Sequence, residues 1–450
     1  MKSQTKTAPL FTGSDLIKLI IPLIIEQTLA VSIGLVDTIM VSQVGEEAVS
    51  GVSLVDSINT LLIQILSALA TGGAVVCSQY LGKNDTKSVK KSAGQLIDVM
   101  TLCSLFLMII VLFFNRFILS GIFGKIDANV MDYARIYFII SAISYPFLGL
   151  YNAGAALFRS IGDSKTSMSS SLIMNLINII GNYILIFVFD MGVLGAAIAT
   201  LISRVISAIY ITNLIIKKDT LIRIDSLKYL RLDSNIIGKL LKIGIPSGLE
   251  NGIFQIGKLS VSSLTSTFGT SAIAANSIAS NICSFSNIPG NAMGLAMITV
   301  VGRCIGAKEH TQAKTYSKKL LIYSYCGLWC TNLLMSIFAR NIVSIFNLSQ
   351  VACDISVQLI HSFSLVAVLI WPLSFTLPNT LRAAGDAKFT MIVSISSMWL
   401  FRVFSSYFLA GYLKMGVLGV WVGMYIDWVF RSMFFLYRYL KGKWLEIKLI

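Results

Sequence analysis

A chain of 450 residues with 55% hydrophobic and 13% charged residues is too apolar for a soluble domain, which carries about 25% charged residues. The net charge of +15 does not mark a nucleic-acid binder, because the basic residues fall in alternate loops between apolar runs. Seven cysteines show no ligand spacing, and with His310 and His361 the only histidines a metal centre lacks ligands; Cys326 and Cys330, one helical turn apart, are expected to be small membrane filler.

About 20 apolar residues cross a bilayer core of roughly 30 Å. In chain order, helix-length runs lie near 15–42, 50–80, 93–114, 131–157, 168–189 and 193–216, then 238–267, 272–304, 318–340, 354–381, 389–410 and 416–440. The first is too long for a signal peptide, contains Glu26 and Asp37, and is followed by no cleavage pattern. None shows the ten-residue alternation of a membrane β-barrel. The expected fold is an all-α integral membrane protein of twelve transmembrane helices. Even-numbered connections and tails hold 27 Lys and Arg residues, including Lys2 and Lys6. The other loops hold Arg116, Lys125, Arg340 and Lys414. The positive-inside rule then places both termini in the cytoplasm.

The sequence repeats itself 224 residues on. Pro22-Leu-Ile-Ile-Glu26 returns as Pro246-Ser-Gly-Leu-Glu250, Gly82 as Gly306, and Met191-Gly-Val-Leu-Gly195 as Met415-Gly-Val-Leu-Gly419. Arg159-Ser-Ile-Gly-Asp163-Ser-Lys165 returns 223 residues on as Arg382-Ala-Ala-Gly-Asp386-Ala-Lys388. A held offset means two copies of one unit. Residues 1–216 are expected to form an N-lobe of spans 1–6, 217–239 a cytoplasmic linker, and 240–450 a C-lobe of spans 7–12. Each copy has an even number of spans, so the axis relating them lies along the membrane normal, with a substrate path between the lobes. Pro22, Pro246, Pro146, Pro372, Pro378 and Pro289 are expected to kink helices, whether as flexing points or as packing features. In the Arg-x-x-Gly-Asp-x-Lys loops, Gly permits a tight turn and Asp can cap the next helix.

Ionisable groups at membrane depth cost about 2.5–3.5 kcal/mol or more each, so they direct attention to function. Asp37 lies fifteen residues past Pro22, and its repeat position is Val261; the acid exists in one lobe only. A carboxylate there can exchange a proton near neutral pH, because burial disfavours its charged form. It can equally hold Na⁺ among oxygen ligands. Asn175, Asn178 and Asn182 share one face of span 5, and Thr200 and Ser203 follow in span 6. A polar helix–helix seam is the alternative for these amides. Glu26 and Glu250 occupy matching places, which suggests positions facing each other across a cleft. Lys258, two turns beyond Glu250, can pair with it as a fixed bridge or a gate. Arg402 has no evident counterion. Asp427 and Arg431 most simply pair with each other, and Asp56, Asp98 and Arg204 are placed near helix ends, snorkelling.

These residues resemble the multidrug and toxic compound extrusion (MATE) family. The resemblance spans nearly the whole chain and rests on Pro22…Val36-Asp37-Thr38, Val44-Gly45, Ser78-Gln79…Gly82, the Arg159-Ser-Ile-Gly-Asp163 loop, Asn178…Asn182-Tyr183, Gly195-Ala-Ala-Ile-Ala-Thr200 and their second-half partners. It implies two six-helix lobes forming a V around a central cavity. It also implies secondary antiport of organic, often cationic and amphipathic compounds against H⁺ or Na⁺, without a cofactor. By resemblance, Asp37, Asn178, Asn182 and Thr200 form the coupling-cation site, with Na⁺ as a candidate metal, while Glu26, Glu250, Lys258 and Arg402 are substrate or gating candidates. Some members carry a second aspartate where this chain has Asn182. The expectation is therefore a site with a single carboxylate and no relay between two acids. Implied partners are small organic substrates and the bilayer of the plasma (inner) membrane, not nucleic acid, with the monomer functional. A rival is a flippase or exporter of lipid-linked sugars, which would need a more cationic cavity. A membrane-embedded enzyme would need a nucleophile, acid pair or metal set that the sequence lacks.

Overall fold

The computed structural model describes residues 8–124, 127–346 and 348–450, apart from the side chains of Leu35, Thr38, Glu46 and Leu227. Lys2, Lys6 and Lys125 lie outside the described residues. Span 1 is Gly13–Ser42, span 2 Glu46–Gly82 and span 3 Thr86–Phe123. Span 4 is Ala128–Ile143 and Tyr145–Ser160, bent by 48° just before Pro146. Span 5 is Ser164–Asn182, continued by a π-helical turn Tyr183–Val188, and span 6 is Gly192–Lys217.

The second half repeats this plan. Span 7 is Ser234–Thr265; span 8 is Thr270–Ser286 and Ile288–Gly306, broken at Asn287 ahead of Pro289. Span 9 is His310–Ile337. Span 10 runs through Gln350–Trp371, a π turn Pro372–Thr376 and Pro378–Ala383. Span 11 is Ala387–Ser397, then π turns Met398–Val403 and Tyr407–Tyr412 around Phe404–Ser406; span 12 is Gly416–Lys441. Among the described residues, ten helices are long and apolar enough to cross a membrane, and the bent pair of span 4 makes an eleventh. Span 7, with Lys239, Lys242, Glu250, Asn251, Gln255 and Lys258, is the one too polar to qualify by composition.

Helices start earlier than the apolar runs because capped polar turns precede them. Thr12 and Asp15 form a reciprocal capping box on span 1. Asp85 accepts from the Ser88 N–H at the start of span 3, and its hydrogen bonds to Ser88 hold its carboxyl below the usual carboxylate range. Asp233 caps span 7 and pairs with Lys91 of span 3, so span 7 begins inside the stretch expected to be linker. The Gln95 side chain fastens the rest of the connection. It donates to the Tyr229 and Arg231 carbonyls and accepts from the Asp233 N–H at 2.7 Å.

Backbone geometry repeats with the sequence. Among the described residues, the non-glycine residues with left-handed φ form two pairs 224 apart, Asn84 with Lys308 and Asp190 with Lys414. The π turn at Tyr183–Val188 recurs at the same offset as Tyr407–Tyr412. Gly162 and Gly385, with φ of 92° and 101°, make the turn of the Arg-x-x-Gly-Asp loops where a Cβ would be strained.

The apolar cores define a V. Two clusters at the end of the molecule that carries the termini mix residues of both halves. In one, Leu66, Val76 and Phe158 pack with Leu240, Ile243 and Ile298; in the other, Leu16, Leu19 and Leu23 pack with Met293, Val300 and Phe435. The two clusters at the opposite end are private, one built within residues 41–197 and one within 261–428. The halves therefore touch at the terminal face and part beyond it. Spans 2 and 8 meet there through symmetric glycines. A Cβ on Gly82 would lie 2.0 Å from the Arg303 carbonyl oxygen, and one on Gly306 1.8 Å from that of Gln79. Gln79 Nε2 donates to the Ala383 carbonyl at 2.7 Å and Thr299 Oγ1 to the Arg159 carbonyl at 2.9 Å. The N-terminal segment clasps the second half, with the Phe11 N–H donating to the Tyr316 hydroxyl, which donates back to the Phe11 carbonyl.

Candidate functional site

Span 1 delivers Asp37, span 5 the Asn178–Asn182 pair one turn apart, and span 6 Thr200. The four side chains form one hydrogen-bonded chain. Asn182 Nδ2 donates to Asp37 Oδ1 at 2.6 Å and contacts Asn178 Oδ1 at 3.3 Å; Asn178 Nδ2 donates to Thr200 Oγ1 at 3.1 Å. Asp37, Asn182 and Thr200 line a small cavity whose apolar wall is Val41, Val49, Val52 and Ala196. Among the described residues the buried Asn182 Oδ1 has no hydrogen-bond partner. An unsatisfied buried oxygen beside a carboxylate and a hydroxyl is a donor set for a hard cation such as Na⁺. Asn175, on the same helical face, does not join; its buried Nδ2 is unpartnered. Ser203 turns back to the Thr200 carbonyl.

The expectation of a single carboxylate is overturned. Asp56, expected at a helix end, lies inside span 2 and lines the same cavity with Ser53 and Tyr137. Tyr137 and Asn59 hydrogen-bond to it, and Tyr145 OH donates to Asn59 Oδ1 at 2.7 Å. Arg204 is no snorkelling end residue either. It donates to Ser144 Oγ at 2.6 Å and acts electrostatically on both acids. Asp56 carried the same sign as Asp37, an acid at depth whose repeat position, Ser280, is uncharged. Tyr137 and Asn59 carried no such mark.

Glu26 and Glu250 do not face each other across a cleft. Each is buried in its own half against the arginine of its Arg-x-x-Gly-Asp loop. Arg159 Nη1 meets Glu26 Oε1 at 2.6 Å, with Ser167 donating to Oε2. Arg382 Nη2 meets Glu250 Oε1 at 2.7 Å, with Ser394 donating to the same oxygen. The Glu250–Lys258 pairing is therefore not formed. Asp427 and Arg431 do not pair directly either, because packing across spans outbids the one-turn spacing. Asp427 Oδ1 accepts from Ser397 at 2.5 Å, while Arg431 lies 3.7 Å from Glu250 Oε1 and donates to Ser394. Arg402 has no ion pair among the described residues and sits over the Phe254 ring.

The MatE family profile matches residues 22–184 and again 246–408. The chain belongs to the MATE family. The two matches begin 224 residues apart, so the duplicated unit of this MATE chain is the family's own. It is 28% identical over 99% of its length to a protein of Bacillus subtilis described as an uncharacterized transporter, covering 98% of that protein. To a Thermotoga maritima protein described as a probable multidrug resistance protein it is 27% identical, over 96% of this chain and 92% of that one. Among solved structures, one described as the outward-facing conformation of a multidrug resistance MATE family transporter superposes with a TM-score of 0.90 at 21% identity, over 96% of each chain. A MATE structure in a straight conformation gives 0.90 at 22% identity over the same share. These likenesses establish the fold: a membrane-embedded MATE transporter in two pseudo-symmetric six-helix lobes.

Proposed function

We infer that this MATE chain is a secondary antiporter that exports amphipathic organic compounds from the cytoplasm against inward H⁺ or Na⁺. The observation that carries the reading is the Asp37–Asn182–Asn178–Thr200 chain beside Asp56, a cation-accepting cavity present in one lobe only. The basic loops support a plasma-membrane orientation with both termini cytoplasmic. The lobes are joined at the terminal face and parted beyond it, which is then an outward-open arrangement. A single chain supplies both lobes of the path, so a monomer suffices.

The cycle follows from these residues. In the outward-open form Asp37 and Asp56 are reached by external cations. A cation entering exchanges the Asn182 amide's bond to Asp37 for contacts to the carboxylate, the Asn182 oxygen and Thr200. That neutralisation changes how spans 1, 2 and 5 pack. Coupling requires that the two lobe arrangements differ in affinity for cation and substrate. A membrane potential contributes about 2.3 kcal/mol per 100 mV for each charge carried inward. The relatives described as multidrug resistance proteins support the choice of xenobiotic substrates. The test is efflux of ethidium and of a fluoroquinolone from cells expressing wild type or Asp37→Asn. Wild-type efflux that the substitution abolishes is expected; equal efflux by the two would remove Asp37 from the mechanism.

A further inference from the structure

The repeat inverts the chemistry of the cation cavity. At the 224-residue offset, Asp37 becomes Val261, Asp56 becomes Ser280, Asn182 becomes Ser406 and Asn178 becomes Arg402. Every carboxylate of the first site is lost in the second, and a guanidinium stands where an amide stood. Arg402 lies in the π turn Met398–Val403, whose counterpart in the first half is regular helix within Ser164–Asn182. A π turn confined to one repeat redirects side chains locally, and such turns recur at functional sites.

Around Arg402 the C-lobe gathers more cations than acids, with Lys258, Arg382, Arg402 and Arg431 against Glu250 and Asp427. Phe254 and Lys258 share one face of span 7, one turn apart. Two guanidinium groups approach the Phe254 ring, Arg402 at 5.5 Å and Arg431 at 5.2 Å from its centroid. Among the described residues, Arg402 Nε and the Nε and Nη1 of Arg431, itself 3% exposed, have no hydrogen-bond partner. Lys258 is exposed on the surface of span 7, feels the charge of Arg402 and makes no ion pair among the described residues. Of the nearby acids, Glu250 is shared between Arg382 at 2.7 Å and Arg431 at 3.7 Å, and Asp427, whose Oδ1 accepts from Ser397, acts on Arg402 and Arg431 through its charge without a direct bond to either. Buried N–H groups without acceptors are costly. A group presenting several oxygen acceptors and a negative charge relieves that cost here, and a planar guanidinium fork fits a carboxylate or phosphate.

We propose that the C-lobe face formed by Lys258, Arg402 and Arg431 around Phe254 binds an oxyanion carried by the transported compound, a carboxylate or phosphate on an amphipathic body. The preferred substrate is then anionic or zwitterionic, and a simple organic cation such as ethidium is carried without this contact. This rests on the transport reading and assigns the lobes separate tasks, with the coupling cation in the N-lobe and the substrate's oxyanion in the C-lobe. The same chemistry can come from a free compound or from a lipid phosphate at the end of an apolar chain.

The experiment measures equilibrium binding to the full-length protein in nanodiscs without any gradient, so its outcome is independent of coupling at Asp37. The probes are a zwitterionic fluoroquinolone, its methyl ester, ethidium and a polyprenyl phosphate. The acid is expected to bind about tenfold more tightly than its ester, equivalent to about 1.4 kcal/mol, or the polyprenyl phosphate to bind and displace ethidium; the first identifies a free compound as the source and the second a lipid. Lys258→Gln and Arg402→Gln are each expected to weaken oxyanion binding about tenfold while leaving ester and ethidium affinity within a factor of about two, so that each variant carries its own control for folding. Arg402→Lys restores part of the loss. Equal affinity for acid and ester together with no binding of the lipid phosphate overturns the proposal, as does a loss in the variants that falls equally on ester and acid.

Discussion

Glu250 is buried against Arg382, Arg431 and Ser394, so it has no free oxygen to offer a passing ligand. Removing one partner of such a group leaves the others charged and unpaired, a loss of about 3–5 kcal/mol. Glu250→Ala is accordingly expected to lower the thermal unfolding midpoint in detergent strongly, read by tryptophan fluorescence. A gating carboxylate would instead leave stability intact and alter transport alone. Asp56 is a contrasting case, because it shares a cavity with Asp37 and its charge adds to the pull on a cation. Asp56→Asn is expected to raise the Na⁺ or H⁺ concentration for half-maximal exchange about tenfold, or about 1.4 kcal/mol, with little change in unfolding. An unchanged requirement would mean that Asp56 serves packing only. Spacing along one helix identified Asn178 and Asn182, whose separation of one turn fixes them on a common face. It failed for Asp427 and Arg431, where Ser397 and Glu250 on other spans are the real partners. No periodicity within a span reports what a neighbouring span brings to it.

Spans 2 and 8 act as a pair at the terminal face. Their glycines allow backbone to meet backbone, and the Gly306 site has no room for a Cβ against the Gln79 carbonyl. Gly306→Ala is expected to push the lobes apart there while each lobe keeps its own core. Cys304, fully buried beside this crossing in span 8, reports the change. Its labelling by a membrane-permeant maleimide should rise several-fold. Labelling as slow as in the wild type would show that the crossing tolerates a methyl group and does not limit opening. The C-terminal strap reinforces the same face. Trp444 is fully buried and stacks on Tyr439, and Leu449 joins the mixed cluster that contains Leu66 and Phe158. Trp444→Ala is expected to cost about 3 kcal/mol, seen as an earlier unfolding transition. The span 2–span 8 crossing was visible in the sequence only as the recurrence of Gly82 at Gly306; that both must be glycine is a property of the packing. The strap was not visible at all, since its apolar residues follow the last apolar run as an ordinary polar-and-apolar tail.

At the scale of the whole molecule, duplication governs both what is shared and what differs. The 224-residue offset extends from sequence to left-handed backbone residues and π turns, and the twelve spans were legible as helix-length apolar runs, span 7 included, although its polar residues keep it from qualifying by composition. The differences between copies carry the chemistry: cavity carboxylates in the first lobe, and in the second Arg402 and Arg431 with N–H groups that have no acceptor among the described residues. With both termini cytoplasmic, a C-terminal green fluorescent protein fusion should fluoresce and a phosphatase fusion at the same point should be inactive; the reverse pattern would invert the direction of transport drawn from the parted lobes. The most direct measurement is substrate uptake by proteoliposomes of the purified chain, with Na⁺ and pH gradients imposed one at a time on wild type and Asp37→Asn. One of the two gradients should drive accumulation in the wild type and neither in the variant. Accumulation by the variant equal to that of the wild type, or movement in the wild type indifferent to both gradients, would contradict cation coupling at the Asp37 cavity.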